Sequence, residues 1–264
     1  MTLANRLEEA GGSPLAKRVS VELRGQAAFV WLGAGLRRNA LRGEDWIELE
    51  RLLGTLAERS EVKAVVVRGV QGTFSSGSDL TEWATAESRY VDRTFGAMES
   101  ALSSLERMDA VTIAAVEGVA TGAGCEIALA CDLRVMARSA RIGMPVVRHA
   151  IRVSPMFAFR LSDVVGVPRA RDLLLTGRLI GAEVADQWGL ASRITDDDAF
   201  DECVTQLLDC VTAQPRGALV TAKRSTSRPL EHARAHLHDS DWRYVDEREF
   251  PERIMDFLTR SGRQ

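Results

Sequence analysis

The apolar positions in the first half of the chain follow two periods. In residues 19–33, apolar and polar residues alternate before a glycine turn, and an apolar run follows the turn. This pattern predicts a β-hairpin. Short, β-branched or apolar runs at 62–69 and 112–116 predict buried strands. Apolar residues at helical spacing predict helices over 44–57 and 90–108. This alternation of buried strands with helices favours an α/β fold.

Helical periodicity dominates the second half. Short strands are predicted at 133–137 and 141–143, and the segment 144–155 has no clean period. The helices predicted beyond it, separated by glycine and by Pro168 and Pro229, cover 156–164, 168–175, 182–188, 198–213, 216–227 and 231–246.

The shift from strand-rich to helix-rich sequence divides the chain into three parts. Residues 1–18 contain no apolar core of the kind a signal peptide needs, so we expect a loose leader there. A core of repeated strand and helix units is predicted at 19–195, followed by a helical C-terminal module at 196–264.

Two glycine-rich turns follow predicted buried strands. The first, residues 72–80, reads GTFSSGSDL, and the second, residues 122–124, opens an apolar helix with Glu126 in its first turn. Glycine lets a ligand approach the backbone, and the amides and dipole at a helix start favour negatively charged oxygen. Apolar neighbours favour a raised pKa for Glu126, suited to proton transfer. An acid that only stabilises the helix dipole is the alternative.

Charge and cysteine content narrow the class of protein. The net charge of −3 and the pI near 5.9 argue against a nucleic acid or an anionic membrane surface as the main partner. The four cysteines lack metal-ligand spacing, so no metal site is expected. Cys125 and Cys131 are expected to be buried thiols in a cytoplasmic protein.

Six motifs, in order, make the chain similar to the enoyl-CoA hydratase/isomerase, or crotonase, superfamily. They are RRNAL (37–41), VVVRG (65–69), GTFSSGSDL (72–80), IAAVEGVATGAGCEIALACD (113–132), LLLTGRLIGAEVADQWGL (173–190) and the pair at 222–223. The resemblance implies a spiral of β-β-α repeats with a helical C-terminal trimerisation module. It also implies a homotrimer or a dimer of trimers, and an acyl-CoA thioester as substrate.

The resemblance assigns site residues by position. The backbone amides of Ser78 and Ala123 would form an oxyanion hole around the thioester carbonyl, and Glu126 matches the first catalytic glutamate of the family. The residues that would bind coenzyme A are Asn39, Ala40, Leu41, Ser76, Asp79, Leu80, Thr81, Gly122 and Lys223. Coenzyme A would enter as part of the substrate, so no separate cofactor is expected. The second turn also lacks the spacing of a dinucleotide-binding motif.

One position departs from the family pattern. Family hydratases carry a second glutamate after a proline, and here the corresponding run, IGMPV (142–146), ends in Val146. Valine neither holds a water molecule nor gives a proton, so we expect hydratase activity lower by about 10²–10⁴, or absent. His149 lies three residues further on and is a candidate replacement. A histidine that is merely hydrogen-bonded or at the surface is the alternative.

Three functions stay open at this point. The first is an enzyme in which Glu126 alone moves a proton on an acyl-CoA, in a double-bond shift or a slow hydration. The second is a hydrolase or ring-processing enzyme in which a relocated group, such as His149, takes part. The third is a catalytically weak acyl-CoA-binding protein.

Overall fold

The computed structural model describes residues 18–237, 242–245 and 247–261. Apart from Arg18, the expected leader at 1–18 lies outside the described residues. Among the described helices, none is both long enough and apolar enough to cross a membrane.

The strands form two sheets. A six-stranded sheet has the order β1-β2-β3-β4-β6-β9, and a three-stranded sheet has the order β5-β7-β8. The strands are β1 (Val19–Arg24), β2 (Ala27–Leu32), β3 (Ala64–Gly69), β4 (Val111–Val116), β5 (Val119–Thr121), β6 (Leu133–Ala137), β7 (Arg141–Gly143), β8 (Leu179–Gly181) and β9 (Arg193–Thr195).

The large sheet begins with the predicted hairpin. β1 and β2 pair antiparallel with Arg24 opposite Ala27, and Gly25 at the turn has a φ of 58°, which favours glycine. Every other neighbouring pair in this sheet is parallel. Parallel strands need crossover connections, and helices supply them here. The hairpin and the buried strands predicted at 62–69 and 112–116 are confirmed.

Helices connect the strands and dominate the C-terminal part. They are α1 (Gly43–Ala57), α2 (Leu80–Trp83), α3 (Ser88–Arg107), α4 (Ala123–Ala130), α5 (Pro155–Val165), α6 (Val167–Thr176), α7 (Ala182–Gln187), α8 (Phe200–Thr212), α9 (Arg216–Leu237) and α10 (Glu249–Ser261). The segment without a clean period contains a short 3₁₀ helix, Pro145–His149. Phe200 and Ile254, which follow the last strand, are buried in the same core as the strands, so the boundary at 195/196 stays a prediction.

Two helix predictions near the C-terminus were wrong. α9 continues through Pro229 to Leu237, although an interior proline removes one backbone hydrogen bond and crowds the carbonyl four residues earlier. The helix expected to reach residue 246 is absent at 242–245, where the chain is not helical and Val245 forms an antiparallel bridge with Ile151. A tertiary pairing between distant segments overrides the local helical pattern there.

Candidate active site

The two glycine-rich turns pack directly against each other. A Cβ on Gly77 would lie 2.7 Å from the carbonyl oxygen of Thr121 and 2.8 Å from the amide nitrogen of Ala123. A Cβ on Gly124 would lie 2.3 Å from the carbonyl oxygen of Ser75. No side chain fits at either position, so glycine is required for the close approach of the two backbones.

Some backbone amides at this junction are paired within the described residues and others are not. Gly77, Asp79 and Gly122 donate their amide N–H groups to protein oxygens at 2.8–3.1 Å. For the amides of Ser78 and Ala123, no acceptor is found among the described residues. Both residues are half-buried, so a ligand can reach them. The sequence singled out the same two amides.

Glu126 lies in the first turn of α4, where it is 1% exposed. Its Oε2 accepts a hydrogen bond from Nη1 of Arg160 at 3.3 Å, and its Oε1 has no partner among the described residues. Burial raises the pKa of Glu126 to about 8; Arg160 opposes this shift, and the negative charges of Glu99 and Glu106 add to it. The carboxyl therefore titrates near neutral pH, as a group that moves protons should.

Arg160 of α5 gathers three carboxylates in the interior. Its Nε donates to Oε1 of Glu106 at 2.6 Å, and its Nη1 donates to Oε2 of Glu99 at 2.8 Å as well as to Glu126. Glu99 and Glu106 lie seven residues apart on α3, so they share a helix face. Sequence reasoning missed this cluster. Two acids on the apolar side of a predicted helix were the available signal, but their cation lies more than 50 residues away.

The RRNAL segment supports the first turn from behind. Asn39 is buried, and its Nδ2 donates to the carbonyl oxygens of Val70 at 2.8 Å and Thr73 at 2.6 Å. The amide of Leu41 donates to the carbonyl oxygen of Gly77 at 2.8 Å. Ala40 is also buried. The side chain of Asn39 therefore shapes the loop and does not face an open site.

Other residues of the first turn cap α2 and lie close to two arginines. Asp79 caps α2 by accepting from the amide of Thr81 at 3.2 Å, as expected of a helix-start residue. Arg37 and Arg42 lie 3.9 and 3.8 Å from its carboxylate oxygens, and both are about half exposed. This positive charge beside the turn suits an anionic ligand. Half-buried Leu80 and Ser76 lie on the same segment.

Lys223, which the resemblance places near coenzyme A, has two partners within the protein. Its Nζ lies 2.7 Å from Oδ2 of Asp132 and donates to the carbonyl oxygen of Ala110 at 3.1 Å. Lys223 and Ala110 are buried and the side chain of Asp132 is 26% exposed, and these contacts connect α9 to the start of β4 and the end of α4.

Val146 and His149 lie on the 3₁₀ helix that precedes α5. Val146 is half-buried against the core. The ring of His149 makes an edge contact with Phe257 of α10 at 4.8 Å, and its Nδ1 has no partner among the described residues. Burial, with a smaller contribution from Arg148, lowers the pKa of His149. This histidine faces the C-terminal helix.

An aromatic cluster lies next to the carboxylates. Tyr244 stacks on Phe95 of α3 at 4.3 Å, and Phe157 and Trp83 lie 6.2 and 5.3 Å from the same ring. The non-helical segment 242–245 thus covers α3 near Glu99. A cavity of about 10 Å³ remains between them, lined by Glu99, Ser154, Pro155, Met156, Leu237, Trp242 and Tyr244.

A larger cavity, of about 540 Å³, lies away from these turns between α7, β9 and α8. Its lining includes Asp186, Arg193 and Cys203 and none of the residues that the sequence singled out. The largest described cavity and the residues that the sequence singled out therefore lie in different parts of the protein.

Comparisons with known proteins agree with the motifs. The family described as Enoyl-CoA hydratase/isomerase matches residues 32–249. The short-chain-enoyl-CoA hydratase of Clostridium acetobutylicum is 29% identical over 218 residues, which are 81% of this chain and 82% of that protein. A probable enoyl-CoA hydratase of Mycobacterium leprae is 31% identical over 204 residues, which are 76% of this chain and 78% of that protein.

Solved structures show the same fold. The crystal structure of enoyl-CoA hydratase from Bacillus halodurans has a TM-score of 0.82 at 21% identity and covers 91% of this chain and 100% of its own. The enoyl-CoA hydratase structure from Mycobacterium smegmatis has a TM-score of 0.77 at 26% identity and covers 93% of this chain and 91% of its own. The resemblance seen in the motifs is confirmed: this chain belongs to the enoyl-CoA hydratase/isomerase family.

Proposed function

We propose that this protein moves a proton on an acyl-CoA thioester, with Glu126 as its sole family acid or base and with the amides of Ser78 and Ala123 as an oxyanion hole. The observation that carries this proposal is the unpartnered Oε1 of Glu126, buried on the same helical turn as the unpaired amide of Ala123. A buried polar atom without a partner is costly. In the proposed reaction, Oε1 of Glu126 is the atom that accepts a proton from the substrate.

The two amides suit the charge that develops in the reaction. Removing a proton from the carbon next to a thioester carbonyl places the electron pair on the carbonyl oxygen. Two fixed N–H donors stabilise that oxygen, and the loss of one such donor costs about 10²–10³ in rate in other enzymes. The positive end of the α4 dipole would also stabilise the negative charge on that oxygen.

Glu126 would complete the transfer by itself. Its carboxylate takes the proton from the α-carbon, and the resulting carboxylic acid returns a proton to the same carbon or to the γ-carbon. The first outcome is exchange. The second requires a β,γ-unsaturated thioester, whose dienolate is protonated at the γ-carbon to give the α,β-unsaturated isomer, so each outcome leaves the atoms and electrons balanced. A single carboxyl of pKa near 8 is suited to both directions.

Hydration needs more than this site offers. Water must be held and deprotonated while the α-carbon is protonated, and Val146 provides no acceptor for that water. His149 does not enter the proposal as a substitute, because its ring packs on Phe257. We therefore expect hydration to be slower than proton transfer at the α-carbon.

Coenzyme A would bind along the first turn. The segment 76–81 with Gly122 would form its wall, supported from behind by the buried segment 39–41. The exposed cations of Arg37 and Arg42 would attract its phosphates. No cofactor beyond the coenzyme A of the substrate is required for this chemistry. The C-terminal helices would form the contacts of a homotrimer or a dimer of trimers.

The test is product analysis by mass spectrometry in deuterated water, with short, long, branched and cyclic acyl- and enoyl-CoA thioesters. Wild-type protein should incorporate deuterium at the α- or γ-carbon of at least one thioester, and Glu126→Gln should not. Retained exchange in Glu126→Gln would remove Glu126 from the mechanism. Binding of thioesters without exchange by either protein would favour an acyl-CoA-binding protein.

A further inference from the structure

The contacts of Arg160 are shared unequally among its three carboxylates. Its N–H groups make two hydrogen bonds to Glu106, at 2.6 and 3.3 Å, and two to Glu99, of which the one from Nη1 is 2.8 Å. Glu126 receives one bond, at 3.3 Å, from an Nη1 that also serves Glu99. The five N–H donors of a guanidinium are thus occupied mainly by α3.

This sharing leaves Glu126 with the weakest hydrogen-bond support for a negative charge. One positive and three negative charges leave −2 in the interior if all four groups are ionised, and burial of uncompensated charge is unfavourable. Glu126 has the fewest hydrogen bonds to stabilise its ionised form and is 1% exposed. Glu99, by contrast, keeps about one sixth of its side chain exposed, at 16%.

We propose that Glu99 and Glu106 are positioning residues that act through Arg160: by occupying its guanidinium they leave Glu126 protonated at rest and its Oε1 free for the substrate. The inference rests on the proposed role of Glu126. It adds two residues of α3, neither of which needs to touch the substrate, to the machinery of proton transfer.

The other elements packed against α4 leave this assignment intact. β4 and β5 contain no ionisable side chain. On α4 itself, Cys125 is buried beside Glu126, and its thiol pKa is raised by burial, so it stays neutral. Tyr244 faces Glu99, and burial raises its pKa to about 12, so it too stays neutral near pH 7. The charged groups acting on Glu126 are therefore Arg160, Glu99 and Glu106.

Burial alone makes a different prediction. If burial by itself kept Glu126 protonated, Glu99→Gln and Glu106→Gln would leave the titration of Glu126 where it is. If the two acids act through Arg160, each variant removes one negative charge and frees guanidinium N–H groups for Glu126. The pKa of Glu126 should then fall in both.

The experiment is a carbon-13 NMR titration of substrate-free protein labelled at the glutamate carboxyl carbons, with Glu126→Gln used to assign the signal. The wild-type signal should titrate near pH 8. In Glu99→Gln and in Glu106→Gln the midpoint should move toward acid by about 1 pH unit, the size expected for a neighbouring charge. Glu87→Gln, which removes an exposed acid at the start of α3, should leave it unchanged.

An ordinary carboxyl titration in wild type, or a midpoint unmoved in Glu99→Gln, would overturn the inference. The result for Glu99→Gln is sufficient to test the inference even if Glu106→Gln does not fold. Glu99 is the partly exposed member of the cluster, so its substitution should disturb the fold less. The NMR readout is independent of turnover. If the midpoint shifts as expected but the protein exchanges no thioester, the positioning role of Glu99 and Glu106 is supported and the proposed function is contradicted.

Discussion

Arg160 and Glu126 are joined by a single hydrogen bond of 3.3 Å, and the second carboxylate oxygen of Glu126 has no partner among the described residues. The cation therefore holds the acid in place from one side and leaves the other side available. Because burial, the largest influence, raises the pKa of Glu126 to about 8, this contact does not keep the carboxyl ionised at neutral pH.

The first prediction concerns stability against pH. The pKa of Glu126 is raised from 4.5 to about 8, so between these values the folded protein keeps a proton that the unfolded chain releases. The free energy of unfolding should fall as pH rises through this window, by up to about 1.4 kcal/mol per pH unit. Below the window both states are protonated, and above it both are ionised.

Urea unfolding of wild type and Glu126→Gln at pH 5, 6.5 and 8 measures this contribution. Glutamine does not titrate, so the variant should gain stability relative to wild type as pH rises. The other ionisable groups are common to both proteins and cancel in the difference. Parallel stability curves would show that Glu126 has an ordinary pKa.

The second prediction concerns the pH dependence of exchange. Removal of a proton from a saturated acyl-CoA needs the ionised form of Glu126. The exchange rate into deuterated solvent should therefore rise about tenfold per pH unit at acid pH and level off near the pKa of about 8. A rate that is flat between pH 6 and 8 would contradict this assignment.

The third prediction concerns the contact between the two turns. Gly77→Ala would place a Cβ 2.8 Å from the amide nitrogen of Ala123, at a φ of 93°. The two amides would move apart, and the exchange rate should fall about 10²–10³-fold. Gly72→Ala is the matched control, because Gly72 also has a positive φ but open space around it, so only strain of about 1–2 kcal/mol is expected. Equal activities in the two variants would argue against the oxyanion hole.

The fourth prediction concerns the missing glutamate. Val146→Glu should raise the hydration of crotonyl-CoA, by up to about 10²–10⁴, since it restores an acid or base at the family position. Val146→Gln controls for the change of size and polarity. The measurement is loss of the enoyl absorbance. Wild-type hydration at ordinary hydratase rates would show that the second glutamate is dispensable here.

The fifth prediction concerns Lys223. Lys223→Met breaks the buried contacts with Asp132 and Ala110 and should lower the free energy of unfolding by about 1–3 kcal/mol. Arg224→Met, which removes an exposed pair with Asp109, should change it by less than about 1 kcal/mol. Urea unfolding and coenzyme A binding distinguish the two roles. Unchanged stability of Lys223→Met together with weaker coenzyme A binding would show that Lys223 contacts the nucleotide part of the ligand.

Local sequence was sufficient for the order of elements and for the position of the two turns. The hairpin, the buried strands and the helix that starts at Ala123 follow from period, β-branching and glycine, and all of these act within a few residues. The amides of Ser78 and Ala123 were assigned through the family resemblance, whose motifs are also short, and no acceptor is found for either amide among the described residues. Interactions between residues close together in the sequence can be predicted without knowing the tertiary structure.

The charge state of the site depends on contacts that no local pattern contains. Arg160, Glu99 and Glu126 come from three helices, and their mutual distances exist only once α3, α4 and α5 are packed. The same holds for Lys223, which meets Asp132 from 91 residues away, and for the bridge between Ile151 and Val245. Electrostatic energy depends on separation in space and on burial. The sequence therefore singled out Glu126, whereas the packing of the helices sets the pKa of its carboxyl.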